Sequence, residues 1–199
     1  MVGLEYPIIV NNVLPLTTIK SLHEYFEPSK RGQTSGTGLA VWTLNNRSYG
    51  DDDPVSWQHP LRTDLIFLEC ASIIKLKMMR HLRRDLKLCK IHVNGQTCGQ
   101  NTIFHKDYIY NDVWTFVYFN QIFWDQTWGG EFVCQDPKSK QYKYVPYICN
   151  TGCFIPSNWE HRGASPNHNT DRLRTTIAFS FCDPKIHDIV ISQTKRKWY

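Results

Sequence analysis

The feature of this sequence that most constrains its fold is a change of pattern at Leu88. Before Leu88, apolar residues recur at spacings of three and four, which is typical of amphipathic helices. After it, short apolar stretches are separated by turn-forming pairs such as Asn94-Gly95 and Asp136-Pro137, which is typical of strands. The candidate strands are Cys89 to Val93, Asn101 to Asp107, Trp114 to Asn120, Gly130 to Gln135, Gln141 to Tyr147, Thr151 to Pro156, Glu160 to Ala164 and Leu173 to Cys182.

The first part of the chain predicts a short strand and two helices. The strand is Pro7 to Val13, and Thr17 or Thr18 stands where the N-cap of the first helix belongs. Pro28 ends that helix. Pro60 begins a second, longer helix. Its apolar stripe consists of Leu61, Leu65, Leu68, Ala71, Ile74, Met78, Leu82 and Leu86.

This order of elements predicts a mainly β fold. Eight strands behind two helices suit a double-stranded β-helix, or jelly roll, with supporting N-terminal α-helices. The 199 residues are enough for a single domain, 1–199, with its own core. We expect residues 1–87 to form the helical support and a loop, residues 88–182 the jelly-roll core, and residues 183–199 a tail. The loop, Ser29 to Ser56, is either a lid over a site or a surface excursion.

Composition narrows the class of protein. Aromatic residues make up 14% of the chain and include seven Trp, so a packed fold is expected rather than disorder. The seven Cys form no CxxC pair, and Cys149 and Cys153 lack a second pair that would complete a zinc site. The amino terminus has no basic segment followed by a long apolar one, and no run of about 18 apolar residues occurs. We therefore expect a soluble, cytoplasmic protein that does not enter the membrane.

The net charge of +5 is concentrated in one stretch. Between Lys75 and Lys90 a single acid, Asp85, stands against a group of basic residues. These are Lys75, Lys77, Arg80, Arg83, Arg84, Lys87 and Lys90. Such a face could contact nucleic acid or an acidic partner, or it could be a helix face that is merely solvated.

Three residues have the chemistry of a metal site. His105 and Asp107 lie two apart, so on an extended segment both side chains would point the same way. A second imidazole at His161 would complete a set of two histidines and one carboxylate, which suits Fe(II) and leaves other coordination positions open. His168, in a loop, is the rival to His161 as the distal ligand.

An arginine follows the distal histidine at the start of a predicted strand. Arg174 opens the run Arg174-Thr175-Thr176-Ile177-Ala178-Phe179-Ser180-Phe181, which is rich in β-branched and aromatic residues. A guanidinium on a rigid strand is a suitable bidentate partner for a carboxylate.

Together these motifs resemble the 2-oxoglutarate and iron(II)-dependent dioxygenases, in their prolyl 4-hydroxylase-like branch. The resemblance covers roughly residues 88–182 and rests on the order of its motifs. These are His105-x-Asp107, the turn Trp128-Gly129-Gly130-Glu131-Phe132, the strand Gly152-Cys153-Phe154-Ile155-Pro156-Ser157, His161, and Arg174 followed by Thr-Thr-Ile.

The resemblance implies a role for each of these residues. His105, Asp107 and His161 would bind Fe(II), and Arg174 would pair with the far carboxylate of the cosubstrate 2-oxoglutarate. Tyr118 would donate its hydroxyl to the same carboxylate, or else serve as a core aromatic residue, and Thr176 could add a second hydroxyl. The family uses O2 and releases succinate and CO2, and ascorbate is a further candidate cofactor. The implied reaction is hydroxylation of an unactivated C–H bond, with a peptidyl proline as the expected target in a peptide or protein substrate.

Two other functions stay open. The basic stretch would suit oxidative demethylation of alkylated nucleic-acid bases. The motif of the demethylases that catalyse this reaction, however, includes another Arg six residues after the Arg that binds the cosubstrate. Ser180 occupies that position here. A non-catalytic jelly-roll binding module is the other alternative, although a decayed site has no reason to keep His105, Asp107, His161 and Arg174 together. Specificity would lie in the Ser29 to Ser56 loop and in Gln121 to Trp128.

Overall fold

The computed structural model of the protein describes residues 4–26, 43–45, 56–59 and 65–196. The strands formed by these residues are β1 (Ile8–Asn11), β2 (Thr43–Asn45), β3 (Ser56–His59), β4 (Lys87–Gln96), β5 (Val113–Phe119), β6 (Phe132–Gln135), β7 (Tyr142–Val145), β8 (Thr151–Pro156), β9 (His161–Gly163) and β10 (Arg174–Cys182). The α-helices are α1 (Leu16–Phe26), α2 (Leu65–Leu82) and α3 (His187–Arg196), and short 3-10 helices occupy Gln126–Trp128 and Pro184–Ile186. Most of the Ser29 to Ser56 loop, for which a lid and a surface excursion were the alternatives, lies outside the described residues.

The strands form two antiparallel sheets. The larger, seven-stranded sheet has the order β1-β8-β5-β10-β4-β3-β2, and the smaller has the order β7-β6-β9. β10 is the central strand of the large sheet and pairs with β5 on one side and β4 on the other. The predicted mainly β fold with N-terminal helices is confirmed at this level.

The large sheet is covered on both faces. On one face, α1 and α2 pack against Phe116, Phe154 and Phe179 with other apolar residues of the sheet. On the other face, Val117 and Cys153 of the large sheet belong to a second apolar cluster together with residues of the small sheet. Because side chains alternate along a strand, each central strand contributes to both cores.

Helix α1 begins close to where the sequence predicts, whereas Pro60, the start predicted for α2, lies outside the described residues. The backbone N–H of Ile19 donates to the Pro15 carbonyl at 3.0 Å, so Thr17 and Thr18 lie inside the first turn of α1 rather than at its N-cap. The Thr18 hydroxyl instead donates to Glu69 at 2.8 Å, which links α1 to α2. In the described part of the chain no helix is both long and apolar enough to cross a bilayer.

Three segments differ from prediction. Asn94-Gly95, predicted as a turn between strands, lies within β4. The prediction of a strand from Asn101 to Asp107 is wrong: this segment forms one isolated β-bridge and is otherwise joined to residues 163–165 by side-chain hydrogen bonds. The Asn101 amide oxygen accepts from the Ser165 N–H, and the Thr102 hydroxyl contacts both backbone groups of Gly163, so these side chains replace a regular ladder. The expected tail contains α3, whose Val190 is fully buried beside Val113 and Cys182.

Gly152 provides a test of the packing between strands. A Cβ at this position of β8 would lie 2.5 Å from a ring carbon of Phe116 and 2.6 Å from the Val117 carbonyl oxygen. We expect Gly152→Ala to lower the free energy of unfolding by about 1–3 kcal/mol, because a central strand cannot move away without disturbing its partners. Urea unfolding of parent and variant measures the difference, and an unchanged midpoint would contradict this packing.

Candidate active site

Three potential metal ligands meet between the two sheets. One ligand atom from each of His105, Asp107 and His161 lies within 4.8 Å of the other two. His105 Nε2 is 3.7 Å from one carboxylate oxygen of Asp107, and His161 Nε2 is 3.6 Å from the other. His161 is 5% exposed, whereas His105 lies at the surface, so the group opens to solvent on one side.

Backbone contacts, rather than strand alternation, bring these residues together. His105 and His161 exchange both backbone hydrogen bonds, at 3.0 and 2.9 Å, as an isolated antiparallel bridge. Two residues on, the N–H of Asp107 donates to the Ser157 carbonyl at 3.0 Å. The side chains therefore converge as predicted, but on a segment held at two points and not on a regular strand.

Each imidazole ring is oriented by a hydrogen bond from its Nδ1 to a backbone carbonyl. Nδ1 of His105 contacts the Ile103 carbonyl at 3.0 Å, and Nδ1 of His161 contacts the Trp159 carbonyl at 2.9 Å. A carbonyl oxygen only accepts, so each Nδ1 carries the proton and each neutral ring keeps a lone pair on Nε2. This is how metal-binding histidines are usually fixed.

The carboxylate of Asp107 is also held by hydroxyl groups. The Thr115 hydroxyl, on β5, donates to Asp107 Oδ2 at 2.6 Å. That hydroxyl has a single hydrogen, so the Ser157 hydroxyl at 2.8 Å must donate to Thr115. The chain of two hydroxyls fixes the position of the carboxylate.

The pKa values of Asp107 and His161 are shifted toward the forms that bind a metal. Burial by itself would raise the pKa of Asp107, but the neighbouring His161 and His105, the hydrogen bond from Thr115 and the charge of Lys90 together hold that pKa below its usual value. Burial lowers the pKa of His161 more than the Asp107 carboxylate raises it. An ionised Asp107 and a neutral His161 ring present converging lone pairs, and a divalent cation is the partner that such a set fits.

Arg174 is the second notable group of the site. Its side chain is 1% exposed, and burial lowers its pKa to about 10, which still leaves it charged at pH 7. Nε donates to the Gly130 carbonyl and Nη1 to the Gln96 side-chain oxygen, each at 2.7 Å. Nη2 is buried without a hydrogen-bond partner. A buried cation with a free amino group is unfavourable unless an acceptor, ideally an anion, binds there.

Two glycines leave room around this guanidinium. A Cβ at Gly163 would lie 2.7 Å from the Gln96 side-chain oxygen and 3.1 Å from Arg174 Nη1. At Gly130 it would lie 3.1 Å from Arg174 Cδ, and the φ of +87° there also favours glycine. The predicted Gly129-Gly130 turn is confirmed, since Gly129 also has a positive φ, +72°.

Strand β9 connects the arginine with the metal ligands. Gly163, which borders the guanidinium, lies two residues after His161 on the same face of β9. Two residues of a strand span roughly 6.6 Å. That spacing is comparable with the length of a five-carbon dicarboxylate, so one such molecule could reach from a bound metal to Arg174.

One predicted site residue lies elsewhere. Tyr118 pairs with Ile177, and both belong to the core beneath the helices, on the face opposite Arg174 and Thr176. Its hydroxyl donates to Asn150 at 3.2 Å. The expectation that Tyr118 donates to the cosubstrate carboxylate is therefore corrected in favour of the core aromatic alternative. Thr176 shares the face of Arg174 and is 3% exposed, as expected.

The aromatic residue beside Arg174 is Tyr147, which sequence reasoning missed. The Arg174 guanidinium carbon lies 5.3 Å from the Tyr147 ring centroid. The Tyr147 hydroxyl donates to the Thr175 carbonyl and accepts from the Gln121 N–H, so this ring is rigidly held. Gln96 was missed as well. Neither residue belongs to a motif that could have indicated it, because both reach the site only through tertiary contacts.

The remaining candidates lie outside the site. His168 is exposed on a turn, so His161 is the histidine that joins His105 and Asp107. Trp114 and Trp124 are buried core residues. In the basic stretch, Lys75 pairs with Asp85 at 3.4 Å and Arg84 with Asp112 at 2.8 Å.

Comparison with known proteins identifies the fold. No protein-family model matches the sequence, and no curated protein matches it significantly. Among solved structures, a prolyl hydroxylase from Trichoplax adhaerens, in complex with a hypoxia inducible factor peptide fragment, has a TM-score of 0.67 at 15% identity and covers 92% of this chain and 86% of its own. HygX from Streptomyces hygroscopicus, with nickel and 2-oxoglutarate bound, has a TM-score of 0.63 at 9% identity, covering 89% and 82%. A prolyl-4-hydroxylase from Pseudomonas putida has a TM-score of 0.59 at 12% identity, covering 88% and 91%.

At these identities the likeness is one of fold. The fold is that of the 2-oxoglutarate and iron(II)-dependent oxygenases, in the form seen in prolyl hydroxylases. The structure thus confirms the resemblance in fold that the ordered motifs predicted.

Proposed function

We propose that the protein is an Fe(II)- and 2-oxoglutarate-dependent dioxygenase that hydroxylates an unactivated C–H bond, with a peptidyl proline as target. The two sheets then form the double-stranded β-helix of that class within a single domain. Residues 88–182 are its catalytic core, and the preceding segment and α1 and α2 support it.

One observation carries this proposal. The buried Arg174 has an amino group without a partner, and it borders the same short strand that carries His161. A metal site alone would not require a buried, unpaired cation at this distance. A carboxylate-bearing ligand that also reaches the metal satisfies both groups at once.

The residues of the site have two separate binding roles in this proposal, one toward the metal and one toward the cosubstrate. His105, Asp107 and His161 would hold the metal, and Arg174 would pair with the far carboxylate in the space that Gly130 and Gly163 leave open. Bound Fe(II) and 2-oxoglutarate, with O2, would supply the oxidising chemistry that yields succinate, CO2 and a hydroxylated product. Ascorbate is a candidate reductant for keeping the metal ferrous.

The walls of the site limit access of water. The Phe132 ring lies 5.5 Å from the His161 ring, and Phe132, Val117 and Ile155 belong to the apolar cluster between the sheets. An apolar lining keeps reactive chemistry away from bulk water, and among the three grouped ligands His105 is the most exposed.

The substrate class rests on support of another kind. The Trichoplax prolyl hydroxylase is bound to a peptide fragment, and prolyl hydroxylases recur among the similar structures. This favours a peptide or protein substrate. Two basic side chains of the Lys75 to Lys90 stretch are engaged by acids of the same chain, which favours the solvated-helix interpretation over a nucleic-acid face.

The test is to incubate the protein with Fe(II), 2-oxoglutarate and O2 and to measure succinate with and without a proline-rich peptide. Succinate in the peptide-free reaction supports the enzyme class, and stimulation by the peptide with gain of one oxygen atom supports the substrate class. A parallel reaction contains an alkylated oligonucleotide, and stimulation there alone would favour the demethylase. Absence of succinate in all three would leave the non-catalytic module as the better interpretation.

A further inference from the structure

We propose that Gln96 is a positioning residue for the cosubstrate: it holds Arg174 with a neutral acceptor and so leaves the guanidinium charge available for the carboxylate of 2-oxoglutarate. This inference rests on the proposed function and concerns one contact within it.

Gln96 is built into the structure rather than lying loosely at a surface. It is the last residue of β4, directly opposite Arg174 on β10, and it is 1% exposed. Its side-chain nitrogen donates to the carbonyl oxygens of Gln100 at 2.8 Å and Gly163 at 3.1 Å. Two acceptors on this side assign the amide orientation, because the reversed amide would place its oxygen against two carbonyls.

The side-chain oxygen of Gln96 therefore faces Arg174. The Gln96 oxygen accepts from Nη1 at 2.7 Å, while the Gly130 carbonyl accepts from Nε. These two contacts fix the plane of the guanidinium and leave Nη2 as the buried donor without a partner. A ligand carboxylate is then met by the outer edge of the guanidinium, formed by Nη1 and Nη2.

The neutrality of Gln96 is what makes this arrangement useful. Its oxygen and the Gly130 carbonyl carry no net charge, and the ring of Tyr147 lies over the guanidinium. The Glu131 carboxylate also acts on the Arg174 charge, but from a distance and without a hydrogen bond to it. A carboxylate in place of the amide would still accept from Nη1, but it would neutralise the guanidinium in advance and would set its second oxygen against two backbone carbonyls. An incoming dicarboxylate would then meet a satisfied cation and a second negative charge.

The support of Gln96 extends into the adjoining turn. The Gln100 side-chain oxygen accepts from the N–H and the hydroxyl of Thr97, at 2.7 and 2.9 Å. This closes the turn that carries the Gln100 carbonyl. The amide of Gln96 is thus fixed from the turn, from β9 and from the arginine, which is the rigidity expected of a positioning residue.

The experiment compares two ligands that differ only at the far carboxylate. Nickel(II)-loaded protein is titrated calorimetrically with 2-oxoglutarate and with 2-oxopentanoate, which keeps the keto acid but lacks the second carboxylate. We expect Gln96→Met to raise the Kd for 2-oxoglutarate about 10-fold, as for a lost hydrogen bond to a charged group, and Gln96→Glu, at pH 8, to raise it more than about 30-fold. Neither variant should change the Kd for 2-oxopentanoate by more than about twofold.

The matched control is Gln135→Met. Gln135 is likewise the last residue of its strand, β6, and its amide donates to the Lys140 carbonyl at 3.0 Å, but it makes no contact with Arg174. Its Kd for 2-oxoglutarate should stay within about twofold of the parent.

The outcomes separate this inference from the proposed function. If the parent does not bind 2-oxoglutarate, the proposed function fails. If the parent binds it and both Gln96 variants bind it as tightly, or weaken both ligands equally, the positioning role is wrong and the function stands. A variant that unfolds is replaced by Gln96→Leu, and the same ligand comparison decides.

Discussion

Asp107→Asn is expected to lower the affinity for a divalent metal by more than about 100-fold. Loss of a residue that merely orients a ligand costs about 10- to 100-fold, and Asp107 supplies the only negative charge among the three grouped ligands. Asn keeps the volume and an oxygen that can accept from Thr115, so the fold should be unchanged. Calorimetric titration of metal-free protein with nickel(II) measures the affinity, and circular dichroism checks the fold.

Asp112→Asn is the matched control for that experiment. Asp112 is an exposed carboxylate that pairs with Arg84 and lies outside the metal group. The same change of charge there should leave metal affinity unaltered, because a surface charge acts weakly in water. Equal affinity in the Asp107 variant and the control would mean that His105, Asp107 and His161 do not bind the metal.

The second large effect concerns Arg174. We expect Arg174→Ala to weaken binding of 2-oxoglutarate by roughly 2 to 5 kcal/mol, about 30- to several-thousand-fold, because the ligand carboxylate loses its buried charged partner. Arg174→Lys keeps the charge but loses the planar fork, so its effect should be smaller. Metal affinity should stay near that of the parent in both variants. Calorimetry on nickel-loaded protein measures both quantities.

A stability effect is expected beside the binding effect. Arg174→Ala leaves the Gly130 carbonyl and the Gln96 side-chain oxygen without a donor, which costs about 1–3 kcal/mol. Arg172→Ala is the control, since Arg172 is exposed and lies over the rings of Phe123 and Trp128. If Arg174→Ala bound 2-oxoglutarate as the parent does, another cation, Arg162 or Arg172, would have to anchor it.

The three metal-ligand candidates could be identified from the sequence, but not because of strand alternation. The alternation argument assumed a strand from Asn101 to Asp107, and the structure has only a bridge between His105 and His161. The prediction nevertheless placed the three residues together, because the order of HxD, glycine turn, distal histidine and arginine strand carried the information. Chain order can indicate a constellation even when the local conformation is misjudged.

The face of β5 on which Tyr118 lies could not be predicted from the sequence. Every residue of β5 is buried, so the strand lacks the polar and apolar alternation that would tell its two faces apart. The hydrogen bond of Thr115 to Asp107 assigns the odd-numbered residues of β5 to the site, and Tyr118 falls on the other face. A shift of one residue along a strand moves a side chain to the opposite face of the sheet and therefore changes what it contacts.

The sequence by itself determined the class of elements, the order of the strands along the chain and the identity of the metal-ligand candidates, because these depend on local periodicity and on short motifs. Tertiary structure alone decided which face of each buried strand meets the site and which neutral groups surround Arg174. Gln96 and Tyr147 are 78 and 27 residues away from that arginine along the chain. No local pattern records such contacts, since they arise only when β4, β10 and the segment after β7 pack together.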